Sequence, residues 1–204
     1  MKLSPLIFSL ALLSLLSCSA QANKKLDLSK VEAQTLDMKG PTGNYRFSLN
    51  IPKEWQSVYS SPVPNGFIGE FTPNGQSLAS WKDMITLRFD GIAVATDYQA
   101  FHNLMDHKGP LNEKTCKDFR RSDFTNHGQH GLKTVELYME CPSLNSTPGF
   151  GEAMLYKYIL AGDKIGLITI WRSWKITNEQ DLIEARSQYT DYTNLFRQAK
   201  LNKL

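Results

Sequence analysis

The chain has 204 residues, enough for one domain with a tail. Hydrophobic residues at 41% and charged residues at 21% give an ordinary globular composition rather than a disordered one, and 13 Gly with 9 Pro in no fixed period exclude collagen-like and low-complexity chains. A formal charge of +3 is too weak to argue for nucleic acid or an anionic membrane as a partner.

Residues 1–22 read as a secretory signal peptide. Met1-Lys2 gives a positive start, Leu3 to Leu16 is mostly apolar, and Ser17 to Ala22 is small and weakly polar. The apolar run is shorter than the roughly 20 residues that a membrane-spanning helix needs. Two processing readings compete. Ala20-Gln21-Ala22 fits the A-x-A rule and would release a chain starting at Asn23. Leu15-Leu16-Ser17-Cys18 resembles a bacterial lipobox, in which Cys18 would carry the lipid. The expected location is therefore periplasmic or secreted, with an outer-membrane lipoprotein anchored at Cys18 as the alternative.

Residues 23–42 read as a leader with a candidate edge strand at Val31 to Met38, and residues 43–204 as a single domain. Tyr45, Phe47, Leu49 and Ile51 alternate with polar residues, the period of a half-buried strand, and Pro52 stops it. Ser60 to Gly66, with two prolines and a glycine, reads as a loop. Phe67 to Phe71 is a short strand ended by the turn signal Pro73-Asn74-Gly75, and Met84 to Phe89 is another, ended by Asp90-Gly91. The period then changes. Thr96 suits a helix cap and Asp97 a first turn, Tyr98, Phe101 and Met105 follow at helical spacing, and Gly109-Pro110 ends the helix.

Thr115 to Phe124 and Leu132 to Glu140 read as two strands around the connection Asn126 to Gly131. Such a hairpin would bring Cys116 and Cys141 together. With Cys18 removed or lipidated, these two remain in an oxidising compartment, so a disulfide is expected. Pro142 to Gly149 is loop. Glu152 to Leu160 and Ile165 to Trp171 are strands around the turn Ala161 to Lys164. Thr177-Asn178-Glu179-Gln180 matches a capping box, and Leu182, Ala185, Tyr189, Tyr192, Phe196 and Ala199 form one apolar helical stripe. The expected fold is α+β: a largely antiparallel sheet of about seven or eight strands with two packed helices.

The segment Glu70-Phe71-Thr72-Pro73-Asn74-Gly75, then Trp81-Lys82-Asp83-Met84-Ile85-Thr86, resembles a pattern in exported bacterial proteins of unknown function. Leu137 to Pro142 and Gly151 to Trp171 are similar to the same group, so the likeness covers most of Tyr45 to Phe196. Members of that group often carry a further Cys after the final helix, and this chain has none. Phe-x-Leu-x-Ile-Pro-x-x-Trp, from Phe47 to Trp55, also looks like the start of PsbP-like domains. That resemblance implies a sheet flanked by helices, used mainly by binding and accessory proteins.

No nucleophile elbow, P-loop, dinucleotide fingerprint or zincin helix occurs. His102, His127 and His130 are the candidate metal ligands, and they would serve a metal- or His-dependent secreted hydrolase; the competing reading is polar residues on a helix surface and a loop tip. Trp171 and Trp174 flank Arg172 at a strand end, where alternation puts Arg172 and Trp174 on one face. A tryptophan beside an arginine is typical of contact sites. Arg172, Trp174 and Trp81 are therefore the candidate binding residues. The competing reading has the last helix cover one tryptophan, and Trp81 plug the sheet. The expected function is a non-catalytic exported envelope accessory or binding protein, without a cofactor, whose partner is a protein or small ligand of the envelope.

Overall fold

Strand β2 (Gly43–Pro52) buries Tyr45, Phe47, Leu49 and Ile51 and turns the residues between them outward, as its alternation predicts. The computed structural model describes residues 26–40, 43–91, 97–108, 114–129, 131–161 and 166–204. Strand β1 (Val31–Gly40) pairs with β2 over its whole length, so the expected edge strand is present. On the other side of β2 lies β13 (Lys200–Lys203), completing a three-stranded antiparallel sheet.

Among the described residues the main sheet has eight strands. In spatial order these are β3 (Trp55–Val63), β4 (Gly66–Pro73), β5 (Asp83–Asp90), β12 (Leu167–Ile176), β11 (Gly151–Leu160) and β9 (Leu132–Cys141). The short strands β7 (Arg120–Arg121) and β8 (Thr125–Gln129) both pair with β9. Every pairing is antiparallel. Helix α1 is Tyr98–Lys108 and helix α2 is Glu179–Arg197. The architecture is the expected α+β single domain.

The two helices serve opposite faces of the main sheet. Helix α2 and the three-stranded sheet share one core with Ile85, Leu155, Ile168 and Ile170. Phe101 of α1 packs into the other, with Val135, Leu137, Tyr156 and Tyr158. The second sheet is a departure from the single layer expected. Pro52 ends β2, which buries one face, and the chain re-forms as β3, which lies half-exposed at the edge of the other sheet.

Other departures are local. Ser60 to Gly66 is not all loop: β3 runs through Pro62 to Val63, which an edge strand tolerates. The turn is confined to Pro64-Asn65, with Asn65 at a left-handed φ of 60°. Thr115 to Phe124 is not one strand. It breaks into β6 (Cys116–Lys117) and β7, separated at Asp118 with φ of 59°. Asn126 to Gln129 lie in β8, not in a loop tip. Within the segment read as loop, β10 (Ser143–Leu144) pairs with β6. Cys116 and Cys141 form the expected disulfide, with Cα atoms 5.6 Å apart.

Both helix starts shift by one residue. Asn178 is the N-cap of α2 and accepts from the Asp181 amide at 3.0 Å, while Asp181 accepts from the Thr177 hydroxyl at 2.6 Å. Asp97 caps α1, accepting from the Ala100 amide at 2.8 Å; Thr96 lies outside the described residues. The helix stops at Arg197 rather than Ala199, and the chain reverses into β13. The turn expected at Ala161 to Lys164 also falls largely outside the described residues.

Candidate functional site

Alternation along β12 sends Ile168, Ile170, Arg172 and Trp174 toward α2 and Trp171 toward the opposite core. Arg172 is therefore carried into the interior, at 2% exposure. Its guanidinium carbon lies 3.7 Å from the ring centre of Tyr192, 4.7 Å from Trp174 and 4.8 Å from Trp55. Ring faces attract a cation and replace part of its lost hydration. Nη2 donates to Gln188 Oε1 at 3.0 Å and pairs with Asp83 Oδ1 at 3.1 Å.

Gln188 connects the floor to the rim. Its Oε1 also accepts from Trp174 Nε1 at 3.2 Å, and its Nε2 donates to Glu184 Oε1 at 3.1 Å. The amide is thereby held with oxygen toward two donors and nitrogen toward a carboxylate. Two donors of Arg172 stay unmatched: Nε and Nη1 are buried without a hydrogen-bond partner. Such groups forgo water without a hydrogen bond in return, and only the ring faces offset part of that loss. Burial pushes the Tyr192 hydroxyl above its ordinary pKa, opposed by the Arg172 charge.

Arg172 lines a cleft of about 590 Å³, walled by Trp55, Tyr192 and Gln188, with Glu54, Asp83 and Glu184 among its acids. A smaller cleft of about 190 Å³ shares Asp83 and Glu184 and reaches Lys82, Lys175 and Asp181. The described lining of the larger cleft contains no Ser, Thr, Cys or His. What this arrangement offers is charged side chains, ring faces and hydrogen-bonding groups.

Two buried acids hold α2 over the cleft. Glu140 takes Arg186 in a bidentate pair, with both contacts at 2.6 Å. Glu136 takes Arg197 Nη2 at 2.7 Å and Lys157 Nζ at 3.3 Å. Burial works to raise the Glu136 carboxyl, but Arg197 and Lys157 outweigh it and hold it below the ordinary range. The same balance, with Arg186 and Tyr138, lowers Glu140.

Of the expected binding residues, the structure brings Arg172 and Trp174 together beneath α2, with Trp174 only 3% exposed. Trp174 is thus the covered tryptophan, not an open contact surface. Trp81 stands outside the larger cleft, on the β4–β5 connection, where Lys175 Nζ sits 5.2 Å from its ring and 4.7 Å from that of Phe150. The sequence reading missed Trp55, Gln188, Glu184 and Asp83, and it placed Tyr192 in a core stripe. The spacing of Glu184 and Gln188, one helical turn apart, was the available signal.

His102 and His127 are held by different partners. His102 Nε2 is 3.1 Å from Asn126 Oδ1 and its ring stacks on Phe124 at 4.3 Å. His127 Nε2 is 3.2 Å from Arg197 Nη2 and 3.4 Å from Glu136 Oε2. His130 lies outside the described residues. Among the described residues no three His, Cys, Asp or Glu side chains are arranged to hold a metal. The physical reason is that β8 is a strand that delivers His127 to the charged cluster under α2, while His102 rides on α1.

No family model matches the chain, and no curated protein matches it in sequence. Solved structures do match. The Ran-binding protein Mog1p of Saccharomyces cerevisiae has 8% identity and a TM-score of 0.51, over 83% of this chain and 96% of that one. LpqN of Mycobacterium tuberculosis, involved in cell envelope biogenesis, has 12% identity and a TM-score of 0.43, over 88% and 99%. The PsbP protein of Synechocystis has 8% identity and a TM-score of 0.44, over 88% and 95%. The Mog1p likeness is one of fold alone. Among the described residues no helix is long and apolar enough to cross a membrane.

Proposed function

We propose that this protein is a non-catalytic exported accessory or binding protein of the bacterial envelope, and that its ligand seats in the cleft over Arg172. The observation that carries the reading is the buried guanidinium at the cleft floor with two unmatched donors. A cation in the core that leaves donors over is a feature that packing alone does not require. That the same fold serves Mog1p, a Ran-binding protein, agrees with a binding role.

Export rests on the leader of residues 1–22, with cleavage before Asn23 and a free periplasmic or secreted chain. A lipid on Cys18 is the alternative, and the mass of the mature N-terminus separates the two. The role itself is tested by purifying wild type and Trp55→Arg, which removes a ring wall and sets a second cation against Arg172, from producing cells under native conditions, with circular dichroism confirming that the variant is folded. Mass spectrometry should find a bound molecule or protein with wild type that the variant has lost. Identical profiles would remove the cleft from the function.

A further inference from the structure

We infer that Asn74 is a self-modification site: the Gly75 amide closes on the Asn74 side chain, and the fold confines this chemistry to Asn74 while shielding Asn65. The reaction is independent of ligand binding in the cleft.

The chain carries the tripeptide Pro-Asn-Gly twice, as Pro64-Asn65-Gly66 and as Pro73-Asn74-Gly75. Asparagine before glycine deamidates readily, because glycine has no side chain to hinder the approach of its own nitrogen. The step balances with water as the only co-reactant. The Gly75 amide nitrogen gives up its proton and attacks Asn74 Cγ, forming a C–N bond. The Cγ–Nδ2 bond breaks, and the nitrogen leaves as ammonia with that proton. Water then opens the cyclic imide. Cleavage of the new Cγ–N bond gives aspartate. Cleavage of the original peptide bond gives isoaspartate, whose main chain runs through Cβ and Cγ.

Both copies have the same local chemistry and both asparagines are exposed, so their surroundings decide between them. At Asn65 the reacting peptide unit is held on both sides. The Asn65 carbonyl accepts from Gly91 N at 2.6 Å. Gly66 is a ladder residue of β4, in register with Val63 and with Asp90. A Cβ placed there would lie 1.9 Å from the Phe89 carbonyl oxygen, so the backbone packs tightly. Ring closure has to swing this unit, which means opening the end of two strand pairs first.

Asn74 has no such restraint. Gly75 lies beyond the end of β4, in a turn closed by Gln76 N donating to Pro73 O at 3.1 Å. Its φ is +86°, and nothing lies within 4 Å of the place a Cβ would take. Neither the Gly75 amide nor the Asn74 carboxamide has a hydrogen-bond partner among the described residues. The Asn74 amide does donate to Glu54 O at 2.7 Å, but that nitrogen takes no part in the ring.

The product would act on the β4–β5 connection. Gln76 organises that segment: its Oε1 accepts from Lys82 N at 2.6 Å and Asp83 N at 3.3 Å, and its carbonyl accepts from Gln56 Nε2 at 3.1 Å. Isoaspartate inserts a main-chain carbon just upstream of it. Either product puts a new carboxylate on the wall of the larger cleft, which Asn74 lines.

The test incubates the folded mature chain in mildly acidic and mildly alkaline buffer. Proteolysis after Glu70 separates the two copies, mass spectrometry reads the exchange of NH2 for OH, and enzymatic methylation of isoaspartate reads the cyclic route. Asn74 should convert, faster in alkali, with isoaspartate among the products. Asn65 should convert at least about tenfold more slowly, since its ladder must open before it reacts. In strong denaturant the two rates should converge. Asn74→Gln, with the circular dichroism of wild type, should abolish the folded-state conversion. An Asn74 that stays intact overturns the inference, and so do equal rates in the folded chain or conversion that persists in Asn74→Gln. Product free of isoaspartate overturns the cyclic route. A rate difference that survives denaturant overturns the role of the fold and assigns the choice to flanking sequence.

Discussion

At the residue scale, charge burial is the governing fact. Lys157 is 1% exposed and Glu136 is 3% exposed, and the buried ammonium is tolerable because the carboxylate is beside it. Glu136 also closes on Arg197 from α2, so one carboxylate is shared by two cations. Replacing it by Gln leaves Lys157 buried without its counter-ion. Denaturant unfolding at pH 7 should show a loss of about 3–5 kcal/mol. The pH dependence has a definite sign. Glu136 has a folded pKa below its ordinary 4.5, so its contribution is present above that value and lost as pH falls through the folded one. The gap between wild type and Glu136→Gln should therefore close in acid. A gap constant down to pH 2 would show that the charge is not what stabilises. Glu152 works the other way, since burial raises its pKa and its ionisation opposes folding at neutral pH. Comparing one variant with wild type cancels that background.

At the scale of elements, α2 decides whether a cleft exists. Two of its arginines, Arg186 and Arg197, reach strand β9 through Glu140 and Glu136. Ala185, Leu195 and Phe196 are buried on the same helix. The helix also brings Gln188 and Tyr192 to Arg172. Its start depends on the Asn178 side chain accepting from Asp181 N, with Glu179 and Asp181 favourably placed in the first turn. Asn178→Ala should cost about 1 kcal/mol in thermal or denaturant unfolding. Thr177→Ala should cost less, because its hydroxyl contacts Asp181 from outside the helix. The reverse order would restore Thr177 as the cap. Elements with strict alternation or a continuous stripe, such as β2 and α2, were legible in the sequence. Strand β13 was not: Lys200-Leu201-Asn202-Lys203 is too short and polar to signal a strand, and pairing with β2 creates it.

For the whole molecule, the disulfide ties the far end of the main sheet. Cys116 is 3% exposed and Cys141 fully buried, at a sequence separation of 25. Both lie in the core that contains Phe101, on the face away from the cleft. Closing that loop is worth roughly 3 kcal/mol in the chain-entropy account. The double variant Cys116→Ser/Cys141→Ser should lose about that much stability while keeping its ligand, because α2 and Arg172 occupy the other face. Loss of ligand binding in a variant still folded by circular dichroism would show that the two faces are coupled.

The amino-acid order alone determined the α+β class, most strands, both helices and the cysteine pair. These follow from local periodicity, turn chemistry and the count of sulfurs, which neighbours in sequence express directly. It also put Arg172 and Trp174 on one strand face. Only the tertiary structure decided that this face is covered, that Trp55, Asp83, Gln188 and Tyr192 gather round one guanidinium, and that Trp81 stands apart. Those partners come from β3, β5 and α2, far apart in the chain. No periodicity within a segment records which segments will meet, because that is settled by how two sheets and a helix divide the apolar surface between them.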